Sequence, residues 1–157
     1  MKLFVAVLTF FIAFPIICEC QTTNGLKGLS SATIVVDTSN NGVTDKAWDD
    51  DLLISLGRDI PKLKFAKDAT AEIHVLVDLL PSQTTGGETI GIFANVRLQV
   101  HRPVKIVETS ESGMAVTWQR SVLLSAGSRD QLVSFIRKAI DDSARALAAD
   151  YYRQNSD

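Results

Sequence analysis

Two stretches of this chain alternate between apolar and polar residues with a period of two. From Glu72 to Leu80, Ile73, Val75, Val77 and Leu79 share one parity, while Glu72, His74 and Asp78 share the other. From Ile92 to His101, Ile92, Ala94, Val96, Leu98 and Val100 oppose Phe93, Asn95, Arg97, Gln99 and His101. Successive side chains of a strand point to opposite faces, so each run predicts a strand with one buried face and one wet face. The runs are consecutive and joined by "PSQTTGGETIG", which predicts an antiparallel hairpin. A register placing Leu80 near Gly91 sets His74 opposite Arg97 and away from His101.

The apolar side of such a hairpin needs a covering layer, and two segments have helical period. In "VTDKAWDDDLLISLGRDIP", Thr44 can cap, Asp45 sits in the first turn and Val43 can staple onto Trp48. Trp48, Leu52, Leu53 and Leu56 form its apolar stripe, and Pro61 stops it. Near the carboxyl end, Ser128 and Gln131 have capping-box spacing. Leu132, Phe135, Ile136, Ala139, Ile140, Leu147 and Tyr151 line one face there, opposite Arg137, Lys138, Asp141, Asp142 and Arg145. Two further strands are expected. "ATIVVD" is bounded by "TSNNG", and "MAVTWQRSVLL" would place Met114, Val116 and Trp118 opposite Ala115, Thr117 and Gln119. Pro103 marks an edge or a bulge. The order strand, helix, three strands, helix predicts an α+β two-layer sandwich, with both helices on one face of a mainly antiparallel four-stranded sheet. The other face would present His74, Arg97, Gln99 and Thr117 to solvent or to a partner.

Residues 1–20 run from Met1 and Lys2 through "LFVAVLTFFIAFPII" to "CEC", the order of a secretory signal. The apolar run is interrupted by Pro15 and is shorter than the roughly 20 residues a spanning helix needs. Cleavage is expected after Cys20, because Cys18 and Cys20 present small side chains where the peptidase requires them. The small residue that should precede a lipidated cysteine is absent, since Ile17 precedes Cys18 and Glu19 precedes Cys20. Both cysteines of the 157-residue chain would leave with the signal, so neither a disulfide nor a thiolate is expected in a periplasmic or secreted product beginning at Gln21. Residues 21–31, "QTTNGLKGLSS", read as a flexible tether, and residues 32–157 as a single domain.

No HExxH, GxSxG or EF-hand pattern occurs, and "GGETIGIF" lacks the Lys and Ser/Thr of a phosphate loop. The two histidines have no third ligand in sequence, and Asp49, Asp50 and Asp51 suit a helix amino terminus better than a cation. No catalytic, cofactor-binding or metal residue is therefore assigned. A formal net charge of −2 with interspersed signs gives no footprint for nucleic acid. The expectation is a non-enzymatic, exported binding or envelope-assembly accessory module, acting on a protein partner or on itself through a sheet face or edge. The alternative is a small periplasmic hydrolase or metal-dependent enzyme using His74, Asp78 and Arg97.

The segments "GVTDKAWDDDLLISLGRDI", "IHVLVDLL", "IFANVRLQVHRPVKI" and "GMAVTWQR", with a terminal helix ending "LAADYYRQN", resemble a family of small exported bacterial proteins of unassigned function. The pairs Thr117-Trp118 and Asp150-Tyr151 carry that resemblance. The element order is similar to that of the lipopolysaccharide-assembly lipoprotein and of the amino-terminal domain of the Tol-system periplasmic protein. The resemblance implies an envelope protein of this two-layer fold and assigns no site residue.

Overall fold

The computed structural model describes residues 16–21, 24–38, 47–83 and 89–156. The elements in chain order are β1 (Ile16–Gln21), β2 (Ser31–Thr38), α1 (Ala47–Asp59), β3 (Lys64–Phe65), β4 (Glu72–Gln83), β5 (Thr89–Lys105), β6 (Ser112–Ala126) and α2 (Arg129–Asn155). They form the expected α+β arrangement of two helices and a mostly antiparallel sheet. The sheet order is β1-β6-β5-β4-β2-β3, so it has six strands where four were expected. β1 adds antiparallel to β6, and the two-residue β3 adds parallel to the start of β2.

The hairpin β4-β5 alternates as the sequence dictates, and its buried parity supplies the middle of the core. Ile73, Val75, Val77, Ala94, Leu98 and Val100 are all buried. α2 lies across β5 and β6, while α1 packs against α2 and β2. α1 buries Trp48, Leu52 and Leu56, and leaves Leu53, expected in the stripe, exposed. α2 buries Leu132, Ile136, Ile140, Leu147 and Tyr151, but Phe135 is exposed. At its start the Ser128 hydroxyl accepts from the Gln131 amide at 3.3 Å, and Gln131 Oε1 reaches back to the Gly127 amide. Those contacts satisfy two otherwise orphaned donors. Thr44, Asp45 and Val43, expected to start α1, lie outside the described residues.

β6 departs from strict alternation. Val100 is opposite Trp118 and His101 is opposite Val116, so Thr117 has no counterpart and forms a bulge. One extra residue inverts the parity on either side. Trp118 is buried under α2, whereas Met114 and Val116 are exposed on the opposite face, which corrects the expectation that all three point the same way. Pro103 follows two residues beyond the bulge, where β5 has β6 on one side and β4 has already ended at the Glu72 to His101 pairing.

The amino-terminal segment also differs from expectation. Residues 24–30 are docked and not a tether: Leu26 is 0% exposed and Leu29 is buried beside it. The Leu26 amide donates to Gln154 Oε1 at 2.7 Å, and Asn155 brackets the turn by accepting from the Gly28 amide and donating to the Leu26 carbonyl. Arg102 donates to the carbonyls of Gly25 and Lys27, each at 2.9 Å. Gly28 has φ 72°, a left-handed conformation that glycine adopts without a Cβ penalty. Most of the expected export signal lies outside the described residues, but its end forms β1, with Cys18 opposite Ser121 and Cys20 opposite Gln119. Cleavage after Cys20 would remove every β1 residue except Gln21.

Candidate functional site

The face of the sheet turned away from the helices carries three of the four residues expected on a partner surface, and the fourth lies at a bulge. β4 contributes His74, β5 contributes Arg97 and Gln99, and β6 contributes Thr117 at the bulge. The hairpin register is shifted by two residues along β5 from the sequence expectation, because His74 lies opposite Gln99 and Arg97 opposite Leu76. That shift brings Glu72 opposite His101 and packs the rings of His74 and His101 at a centroid distance of 4.3 Å and an interplanar angle of 37°. The sequence reading had set the two histidines apart.

A hydrogen-bonded line crosses the strands at this point. His74 Nε2 lies 2.7 Å from Glu72 Oε2, and His101 Nε2 lies 3.0 Å from Gln99 Oε1. Gln99 Nε2 in turn donates to Gln119 Oε1 at 2.7 Å. Farther along the strands, Arg97 pairs with Asp78 at 2.6 Å and the Ser121 hydroxyl donates to Asn95 Oδ1 at 2.7 Å. The Thr117 hydroxyl donates to the Val100 carbonyl across the bulge at 3.3 Å. Gln99 is only 9% exposed although it lies on the open face, because side chains on the three central strands close over it. Burial lowers the pKa of His101, the neighbouring His74 lowers it further, and Glu72 opposes both.

This arrangement bears on the enzyme alternative. His74 and Asp78 are four residues apart on one strand, a separation of about 13 Å along the strand axis. Asp78 is engaged by Arg97 and His74 by Glu72, so the three residues do not converge on one point. Among the described residues, no group of three or more His, Cys, Asp or Glu side chains is placed to hold a metal ion. Apolar side chains flank the polar line, with Phe93 and Leu123 at one end and Met114 and Val116 at the other, all exposed.

The opposite face holds a polar contact of different character. The Trp118 indole donates to Asp150 Oδ2 at 2.8 Å, and Asp150 Oδ1 receives Arg153 at 2.6 Å. Asp150 is 2% exposed, so a carboxylate sits inside the core between β6 and the last turns of α2. The pairing of the Trp118 N–H with Asp150 was not expected from the sequence. The signal available was an acidic residue on the buried parity of α2, between Leu147 and Tyr151.

A third feature is an open groove of about 230 Å³ where α1 meets the β2 and β3 edge. Ile34, Leu53 and Phe65 line its apolar part, Asp49 and Asp50 stand on the α1 side, and Lys67 lies across from them. β3 covers only Ser31 and Ala32, so β2 from Thr33 onward has no strand on that side among the described residues.

No protein-family model and no curated protein sequence matches this chain. Solved structures do match its fold. PelC from Paraburkholderia phytofirmans, a dodecamer, aligns in one crystal form at 13% identity over 86% of this chain and 98% of its own, with a TM-score of 0.54. A point variant of the same protein in another crystal form aligns at 15% identity over 92% of this chain and 100% of its own, with a TM-score of 0.52. A minor lipoprotein from Acinetobacter baumannii aligns at 15% identity over 77% of this chain and 91% of its own; its TM-score of 0.36 is too low to support a structural inference. At these identities the likeness to PelC establishes a shared fold and nothing about activity.

Proposed function

We propose that this chain is an exported, non-enzymatic envelope accessory protein that acts by associating with further copies of itself. The observation that carries this reading is the asymmetry of the sheet. One face is sealed by α1 and α2, while the other has a satisfied polar line flanked by exposed Phe93, Leu123, Met114 and Val116. Polar groups already paired within one copy can enter an interface without leaving unsatisfied partners, and flanking apolar residues supply the driving force. The fold it shares with PelC, a protein solved as a dodecamer, supports self-association over capture of an unrelated partner. The signal pattern of residues 1–20 supports export, and among the described residues no helix is long and apolar enough to cross a membrane. The engagement of Asp78 by Arg97 and of His74 by Glu72 supports a non-catalytic role.

Sedimentation velocity of the full chain over a hundredfold concentration range tests this reading. A sedimentation coefficient that rises with concentration, and that Leu123→Asp lowers, is the expected result. A single monomeric boundary at every concentration would remove the proposal.

A further inference from the structure

The turn between β5 and β6 ends in a protruding tip, "KIVE", with two apolar residues held out to solvent. Val107 is 88% exposed and Ile106 is 45% exposed. They are not a frayed end. The Ile106 amide donates to the Glu111 carbonyl and the Ser110 amide to the Ile106 carbonyl, each at 2.8 Å, and Ser110 takes φ 59° to close the turn. A turn this well tied that presents Ile and Val at its apex retains the free-energy cost of exposing them unless something covers them.

We propose that the tip of one copy seats in the α1, β2 and β3 groove of a second copy, rather than in any small-molecule role for that groove. At about 230 Å³ and open to solvent, the groove is smaller than the roughly 300–1,000 Å³ typical of small-ligand pockets, and it suits one or two aliphatic side chains. Its apolar lining of Ile34, Leu53 and Phe65 matches Ile106 and Val107. The charges match at both ends of the tip. Lys105 precedes the apolar pair and Glu108 follows it, while the groove offers Asp49 and Asp50 on one side and Lys67 on the other. The edge of β2 from Thr33 onward, which has no strand beside it among the described residues, also offers main-chain donors and acceptors to an extended segment.

Tip and groove are different patches of one chain, and the exposure of Val107 shows that the tip does not occupy its own groove. The contact is therefore heterologous, and repeating it produces a closed ring or an open filament, depending on the rotation between copies. This inference deepens the self-association reading and rests on it.

The test uses the full chain and exploits the heterologous geometry. Val107→Asp should disable the tip and Leu53→Asp the groove, each lowering the apparent association constant at least tenfold in sedimentation while the far-ultraviolet circular dichroism stays unchanged. With the sheet face also disabled by Leu123→Asp in both partners, an equimolar mixture of the two variants should form dimers and nothing larger, because each mixed pair retains one intact tip and one intact groove. Lys105→Glu should weaken assembly, and combining it with Asp50→Lys should restore at least part of the loss. If the chain self-associates but neither variant changes it while Leu123→Asp does, the tip and groove pairing is wrong and the self-association reading stands. If the mixture of variants stays monomeric while wild type assembles, a heterologous contact is excluded. A wild type that is monomeric throughout overturns both readings.

Discussion

The two faces of the sheet use hydrogen bonds in opposite ways. On the helix-covered face the polar contact of Trp118 with Asp150 is sunk among apolar side chains with Arg153 closing its open end. On the other face the polar contacts run in a line from Glu72 through His74, His101 and Gln99 to Gln119, each partly open to water. In a low-dielectric core an unmade partner bears its whole desolvation penalty, whereas at a wet face water can replace it. The inner contact therefore fixes where the carboxyl end of α2 docks, and the outer line keeps a face soluble that is otherwise flanked by Phe93, Leu123, Met114 and Val116.

Trp118→Ala would break the contrast most sharply. It removes a buried indole and its hydrogen bond to Asp150, so thermal or denaturant unfolding should show a loss of about 3–5 kcal/mol. Trp118→Phe keeps most of the apolar bulk but deletes the donor, and a loss of about 1–3 kcal/mol is expected from removing a buried hydrogen bond to a carboxylate. On the outer face the Arg97 and Asp78 pair is about one-third exposed on each side, so a double-mutant cycle with Arg97→Met and Asp78→Asn should return a coupling of at most about 1 kcal/mol. A coupling as large as the Trp118→Phe loss would mean that the two faces are not distinct in kind.

Two smaller effects sharpen the comparison. Ser143 is 0% exposed, and its hydroxyl has no hydrogen-bond partner among the described residues. Ser143→Ala should therefore stabilise the fold by about 0.5–1 kcal/mol in chemical denaturation, the reverse of Trp118→Phe on the same buried side. The pH response belongs to the outer face. The folded state holds the pKa of His101 below its ordinary value, so below about pH 6.5 the unfolded chain binds more protons at this site than the folded chain does. Stability at this site is present above that pH and is lost as the pH falls towards the depressed folded value. The unfolding temperature should drop between pH 7 and pH 5, and His101→Gln should reduce that drop; an unchanged drop would place the acid sensitivity elsewhere.

Much of the architecture was legible because it depends on local pattern. Period two in β4 and β5, helical period in α1 and α2, and the Ser128 and Gln131 cap each fix an element from residues close in sequence. On β4 and β5 the outer face follows from parity alone, which puts His74, Arg97 and Gln99 together; on β6 parity fails at Thr117, where the bulge falls. Their partners could not be named. Whether His74 faces Arg97 or Gln99 depends on a two-residue register shift, which leaves parity unchanged and so no trace in the apolar pattern, and only that shift brings His101 against His74. Docking of the supposed tether was equally hidden, since the turn around Leu26 is held by Gln154, Asn155 and Arg102 from far along the chain.

By itself, then, the sequence determined an α+β sandwich with one sealed face and one open face, because the periodicity of apolar side chains is a property of neighbours. Tertiary structure decided what a one-residue difference changes. The bulge at Thr117 turned Trp118 inward to meet Asp150 and left Met114 and Val116 outside. The physical reason is that strand parity is binary, so a single inserted residue reverses every side chain beyond it, and no local propensity records where the insertion falls.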